Sequence, residues 1–216
     1  MRFRNLDAEV THMTRSPTHG RSRRYPVLLS LLVAAAAHAH AQAGLAGGFA
    51  SGFLHPILGG DHLVAMVAVG LWGAQLGRPA IWLLPITFPS VMALGGLLGV
   101  LGVALPLVEV VVALSAIVLG ALVATAARPP FRVAAIVVGI FAVFHGHAHG
   151  TELPAAANPL AYGVGFVLAT GLLHLAGILL GTLVRRPWGA GLVRACGVVV
   201  ALVGGYFLLG HSGLFG

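Results

Sequence analysis

The stretch His55-Pro56-Ile57-Leu58-Gly59-Gly60-Asp61-His62-Leu63-Val64-Ala65-Met66 places two imidazoles and a carboxylate inside residues 45–77, a segment that is otherwise almost wholly apolar. Ionisable side chains are costly in hydrocarbon, so their presence within an apolar span marks a functional site. At about 1.5 Å per residue the whole segment would make a helix of roughly 50 Å, against a hydrocarbon core near 30 Å. It therefore has to be broken, strongly tilted or folded back, and Pro56, Gly59 and Gly60 supply the place for a break. In that geometry His55 precedes a helix start, with Pro56 at the first helical position.

Outward from this stretch, further apolar segments run over 79–103, 107–127, 131–148, 159–184 and 190–210. Of the 216 residues, 58% are hydrophobic and only 8% charged, where an ordinary soluble domain has about 25% charged residues. The expected fold is all-α: a polytopic transmembrane helical bundle of six spans after a cleaved signal peptide. Residues 1–41 form an N-terminal extension and signal peptide, and 42–216 a single transmembrane domain. The 31 glycines suit helices that pack closely in lipid, and glycine-rich faces leave room for pairing between copies as a homo-oligomer.

Arg21-Ser22-Arg23-Arg24, the short apolar run from Pro26 to Ala37, and the small residues up to Ala41 have the three-part layout of a secretory signal. The run is shorter than the roughly 20 residues a span needs, and Ala-x-Ala sites end at Ala37, Ala39 and Ala41. The formal charge of +7 does not mark a nucleic-acid surface. Arg2, Arg4, Arg15, Arg21, Arg23 and Arg24, half of the 12 basic residues, precede the first apolar run, and the other six fall at segment ends. With the mature start outside and one net crossing by residues 45–77, Arg78, Arg128, Arg132, Arg185, Arg186 and Arg194 all lie at cytoplasmic ends, whereas a hairpin would put all six outside. The excess of basic residues on the cytoplasmic side selects a multi-pass protein of the bacterial inner membrane with both mature termini periplasmic. The lone Cys196 excludes a disulfide framework and reads as a packing residue.

This topology gathers ionisable groups in the outer half of the bundle. Besides His55, Asp61 and His62 there is a second cluster, His145-Gly146-His147-Ala148-His149, followed by Glu152. A continuous helix puts His145 and His149 on one face and His147 nearly opposite, whereas unwinding at Gly146 and Gly150 would bring all three to one side. Asp61 either binds metal directly or accepts the second ring N–H of a histidine and so fixes its tautomer. Glu152 supplies an oxygen ligand or a proton acceptor. Glu109 serves as a relay or ligand, or simply meets the dipole of its helix start. His174, near mid-span, is a pathway ligand or an interhelical hydrogen-bonding residue. If the signal is cut after Ala37, His38-Ala39-His40 begins the mature chain, and its amine, amides and His40 could make a square-planar nitrogen site that suits Cu2+ or Ni2+. The nitrogen-dominated set favours Ni2+, Co2+, Zn2+ or Cu2+ without choosing among them. The ion is cargo; no permanently bound cofactor is expected.

At these residues the chain resembles the HupE/UreJ family of nickel permeases. His55-Pro56 through Gly59, Asp61-His62-Leu63, Ala65-Met66 and Val69-Gly70-Leu71-Trp72 are similar to its amino-terminal signature. Phe144-His145-Gly146-His147-Ala148-His149-Gly150 is similar to its second histidine motif, and Glu109 to Gly120, with Ala113-Leu114-Ser115, to its glutamate-containing helix. The resemblance covers most of residues 38–216 and implies uptake of Ni2+, or of Co2+, for hydrogenase or urease maturation, with His55, Asp61, His62, His145, His147 and His149 at the matching motif positions. The broader nickel/cobalt transporter class has four residues before its Asp-His pair where five stand here, so its geometry does not transfer directly. The expected function is a secondary permease and not an enzyme. A membrane metalloenzyme and a non-conducting metal-binding accessory protein are the competing readings. HExxH and the phosphate-binding GxxxxGK[ST] pattern are both absent from the sequence.

Overall fold

The computed structural model describes residues 44–153 and 158–211. Among them are seven α-helices and one short 3-10 turn, with no strand: α1 Gly44–Leu58, α2 Gly60–Leu76, α3 Ala80–Val100, α4 Val108–Ala124, α5 Phe131–Thr151, α6 Pro159–Gly181, the turn Thr182–Arg185, and α7 Gly189–His211. Helices are what such apolar runs must form, because in hydrocarbon every backbone N–H and C=O needs a partner within its own segment. Four of them, α3, α5, α6 with its 3-10 extension, and α7, are long and apolar enough to cross a membrane, and the bent pair α1–α2 adds a fifth when counted as one broken span. The apolar α4 has 17 residues.

The first apolar segment is broken as its length requires, with a bend of 78° between α1 and α2. The break falls at Gly59, whose backbone is extended (φ −78, ψ 101). Pro56 does not start a helix, contrary to the expectation from sequence; it lies in the last turn of α1. Having no N–H, Pro56 denies the Gly52 carbonyl its helical donor and weakens that turn. The turn nevertheless closes, because the Gly59 N–H donates to the His55 carbonyl at 3.1 Å. The Gly59 carbonyl in turn accepts from the Leu63 N–H at 2.8 Å, so the backbone is satisfied on both sides of the bend.

Helices approach one another where glycine removes the side chain between them. A Cβ on Gly146 of α5 would stand 1.9 Å from the Met92 carbonyl oxygen of α3, and one on Gly95 of α3 would stand 2.1 Å from the Val143 carbonyl of α5. Gly70 of α2 and Gly177 of α6 meet in the same way, and so do Gly120 of α4 and Gly197 of α7. This is small-residue packing that lipid favours, since burial of apolar side chains gains little there. The inner faces hold Trp72, Phe88, Met66, Leu71, Leu84 and Leu119, fully buried, with Cys196 packed at the edge of this core. The outer faces carry Leu94, Leu97, Ile136, Leu172, Leu179 and Leu202, all exposed.

Arg78, Arg128, Arg132, Arg185, Arg186 and Arg194 all occupy the connections α2–α3, α4–α5 and α6–α7 or the helix turns next to them. Side chains tie that end together around the last carbonyls of α4 and of the connection that follows it. Gln75 donates to Val123 at 3.0 Å, Trp72 to Ala127 at 3.0 Å, and Arg194 to Ala124 at 2.7 Å. Trp82 and Trp188 stand exposed beside the same connections, where an aromatic belt would meet a membrane interface. The α3–α4 connection, the last turn of α5 and the first turn of α6 lie at the opposite end, with the α1–α2 break toward them.

Candidate metal centre

Three helix ends converge beside Gly59. α1 brings His55 in its last turn, α2 brings Asp61 and His62 in its first, and α5 brings His145 and His149 in its last two turns. Halves of a broken helix that direct their ends at one point are a recurring way to build an ion site at membrane depth. His62, His145 and His149, all buried, each offer a ring nitrogen, and these atoms lie within 4.8 Å of one another. His149 also belongs to a second group with His55 and Glu152, whose ligand atoms again lie within 4.8 Å of each other. That outer group is more open, with the Glu152 side chain 47% and the His55 side chain 29% exposed.

The hydrogen bonds determine which nitrogens are left over. The Nδ1–H of His62 donates to Asp61 Oδ1 at 2.9 Å, and the His62 backbone N–H donates to the same oxygen at 2.9 Å. His62 Nε2 then carries the lone pair, buried and without a partner. The single hydroxyl proton of Ser115 goes to the Val112 carbonyl at 2.6 Å, so the Ser115 oxygen accepts from His145 Nε2–H at 2.8 Å. That leaves His145 Nδ1 as the acceptor atom, buried and unpartnered. Both ring nitrogens of His149 are buried without a partner. Metal–imidazole bonds of 2.0–2.1 Å around a tetrahedral ion put ligand nitrogens about 3.3 Å apart, a spacing that small side-chain adjustments reach from the separations here. Of the two roles open to Asp61, the geometry favours orienting His62, because its Oδ1 is already engaged by His62.

The Nε2–H of His55 donates to Glu152 Oε2 at 3.0 Å, and His149 Nδ1 lies 4.0 Å from the same oxygen. The bond from His55 holds the Glu152 carboxyl below its ordinary value of 4.5, against partial burial, which raises it. Aromatic side chains adjoin the two groups: the Phe166 ring lies 4.4 Å from that of His149, tilted by 60°, and Tyr162 lies 6.0 Å from His55, edge-on.

His147 joins neither group. α5 stays wound through Thr151, so His147 faces away and its Nε2–H donates to the Val103 carbonyl at 2.6 Å, fastening the α3–α4 connection. Unwinding at Gly146 and Gly150 does not occur, because both glycines are engaged in the close approach of α5 to α3. Glu109 lies exposed in the first turn of α4 and outside both groups. His174 makes the interhelical hydrogen bond, its Nδ1–H donating to the Met66 carbonyl at 2.8 Å, while its Nε2 is buried without a partner. His38, His40 and the signal-like segment lie outside the described residues. Ser115, Tyr162 and Phe166 had no assigned part in the sequence reading. The four-residue stripe Tyr162, Phe166, Thr170 and His174 on α6 was the available signal for two of them.

Residues 27–207 match the family described as HupE / UreJ protein. The chain belongs to this family. A HupE/UreJ relative, Protein HupE of Rhizobium leguminosarum bv. viciae, is 50% identical over 173 residues, which cover 80% of this chain and 91% of the relative. No solved structure matches the chain. The HupE/UreJ match spans every helix that contributes to the two ligand groups, in agreement with the resemblance read from the two histidine motifs.

Proposed function

We propose that this HupE/UreJ protein is a secondary permease that carries Ni2+, with Co2+ as the alternative cargo, from the periplasm into the cytoplasm for hydrogenase or urease maturation. The observation that carries this reading is the gathering of three buried imidazoles with unpartnered nitrogens, His62, His145 and His149, at the break of a helix. Buried polar atoms are nearly always satisfied, so three neighbouring imidazoles that each keep an unpartnered nitrogen call for a ligand, and imidazole suits these metals.

In this reading α1–α2 is one broken span, and α4, at about 25 Å, is a short one. Six crossings put the arginine-bearing connections in the cytoplasm and the ligand groups in the outer half of an inner-membrane protein. Residues 1–41 are a cleaved leader and 42–216 the transport domain, with both mature termini periplasmic. An ion meets Glu152 and His55 first, where water is still at hand, and gives up part of its hydration to them. His149 belongs to both groups, so the ion passes inward by exchanging Glu152 and His55 for His62 and His145 without leaving His149. Asp61, through His62, balances charge at the dry site. A 2+ ion moving inward gains about 4.6 kcal/mol per 100 mV of membrane potential, enough to drive uptake without ATP.

Ni2+ entry into proteoliposomes containing an internal metal indicator tests this. Saturable entry that is abolished in His62→Ala supports the permease, and binding without entry overturns it. Competition by Co2+, Zn2+ and Cu2+ in the same assay ranks the cargo.

A further inference from the structure

Inward from the metal groups, α6 continues its buried stripe with Thr170 and His174, and both keep a polar atom that nothing occupies. His174 is 1% exposed and Thr170 0%. His174 Nε2 and Thr170 Oγ1 have no hydrogen-bond partner. The Met66 carbonyl fixes the His174 ring through Nδ1, so its lone pair is held on Nε2, as a metal ligand requires. One side chain touches both His174 and the groups above it. The ring of Phe88, fully buried, meets His145 edge-on at 5.3 Å and His174 edge-on at 5.4 Å.

Phe88 stands where its helix is least held. Pro85 and Pro89 flank Phe88 within α3, so the carbonyls of Ile81 and Pro85, in the two turns that lead up to Phe88, lack their helical donors. Prolines so placed are where helices bend. A side cavity of about 320 Å3, lined by Pro89, Met92, His149 and Phe166 among others, begins at the residue after Phe88.

The geometry points to Phe88 as an internal gate between the His62/His145/His149 group and an inner single-nitrogen station at His174, where the ion is held with help from Thr170 before it leaves toward the arginine-bearing end. This rests on the permease reading and adds to it a second position and the step that separates the two. With the ring in place the inner station is closed to the outer groups; displacement of the proline-flanked turn opens the way for one ion.

The test uses the full chain in proteoliposomes, with Ni2+ and Cd2+ entry measured separately and Ni2+ binding to the same preparations as the check on folding. Phe88→Ala should speed Ni2+ entry at least about fivefold if gate opening limits turnover. Phe88→Leu, which retains apolar bulk and decides the matter if the alanine variant does not fold, should speed it by a smaller factor. His174→Cys, a softer ligand, should raise the ratio of Cd2+ to Ni2+ entry at least about fivefold, a change that a purely structural histidine would not produce. Wild-type entry with both Phe88 variants at or below the wild-type rate overturns the gate alone, and an unchanged Cd2+ to Ni2+ ratio in His174→Cys overturns the station. Liposomes of wild type and Phe88 variants alike that admit no Ni2+ overturn the gate together with the permease.

Discussion

Replacing Asp61 with Asn retains an oxygen that can accept from His62 but removes its charge. In the structure Asp61 Oδ1 lies 2.9 Å from His62 Nδ1; adding the ring and a metal–nitrogen bond puts the carboxylate about 6–7 Å from an ion on Nε2. At an effective dielectric constant of about 20, a carboxylate and a 2+ ion at that distance attract by about 5 kcal/mol. That is an upper bound, because the unloaded site relaxes and neighbouring groups share the charge. Removing a group that orients a metal-bound histidine typically costs 10–100-fold in affinity, about 1.4–2.7 kcal/mol. Asp61→Asn should therefore weaken Ni2+ binding by about 10–100-fold with unchanged stoichiometry, measured by equilibrium dialysis of detergent-solubilised protein. Co2+ provides a second readout. If Asp61 acts only through His62, the visible ligand-field bands of bound Co2+ keep their energies in the variant. Affinity within about twofold of wild type would refute the charge argument, and a displaced Co2+ band would show Asp61 to be a direct ligand, refuting the orienting role.

His147→Ala should leave Ni2+ affinity unchanged and cost about 1 kcal/mol of stability through the lost bond to Val103; a tenfold fall in affinity would contradict the division of the histidine triplet by α5. Gly146→Ala forces a Cβ to within 1.9 Å of the Met92 carbonyl and should lower thermal stability in detergent by about 1–3 kcal/mol. Gly139→Ala, on the same helix with nothing within 4 Å, should be neutral or stabilising, so equal losses in the two variants would refute the packing account. Glu152 has a folded value below its ordinary 4.5, so the stability its pair with His55 adds is present above that ordinary value and is lost as pH falls through the lowered one. It is accordingly ionised throughout the range of about pH 6–8. Glu152→Gln should raise the half-saturating Ni2+ concentration for entry by about three- to tenfold at about pH 7.5, and a change of less than about twofold would refute the assignment.

Much of the helix plan could be read from segment length alone. The segments at 79–103, 107–127, 159–184 and 190–210 became α3, α4, α6 and α7 with shifts of a few residues, because a long, predominantly apolar run has one way to satisfy its backbone in hydrocarbon. The break in residues 45–77 was legible for the same reason, since its length did not fit the hydrocarbon core. Its internal detail was not. Pro56 carries two opposed local signals, a good first residue of a helix and a poor interior one, and the choice depended on Gly59, which could take the bend and close the last turn of α1 behind Pro56.

The ligand set shows the same boundary between local and tertiary information. Helical periodicity already paired His145 with His149, and Gly146 and Gly150 were the only local argument for bringing His147 in beside them. Glycine has two uses in a membrane helix, to permit an unusual backbone and to permit a close neighbour, and a sequence by itself does not separate them. Here α3 separates them, because its Met92 and Gly96 carbonyls fill the space where side chains at Gly146 and Gly150 would stand. With its backbone clamped against α3, the end of α5 cannot unwind without losing that contact, so the clamp that excludes His147 also fixes the positions of His145 and His149. The spacing of the buried nitrogens is thus set by helix packing as well as by side-chain rotamers, and this makes the glycine contact between α3 and α5 a determinant of which ions fit: a substitution that parts these helices should alter metal preference before it abolishes binding.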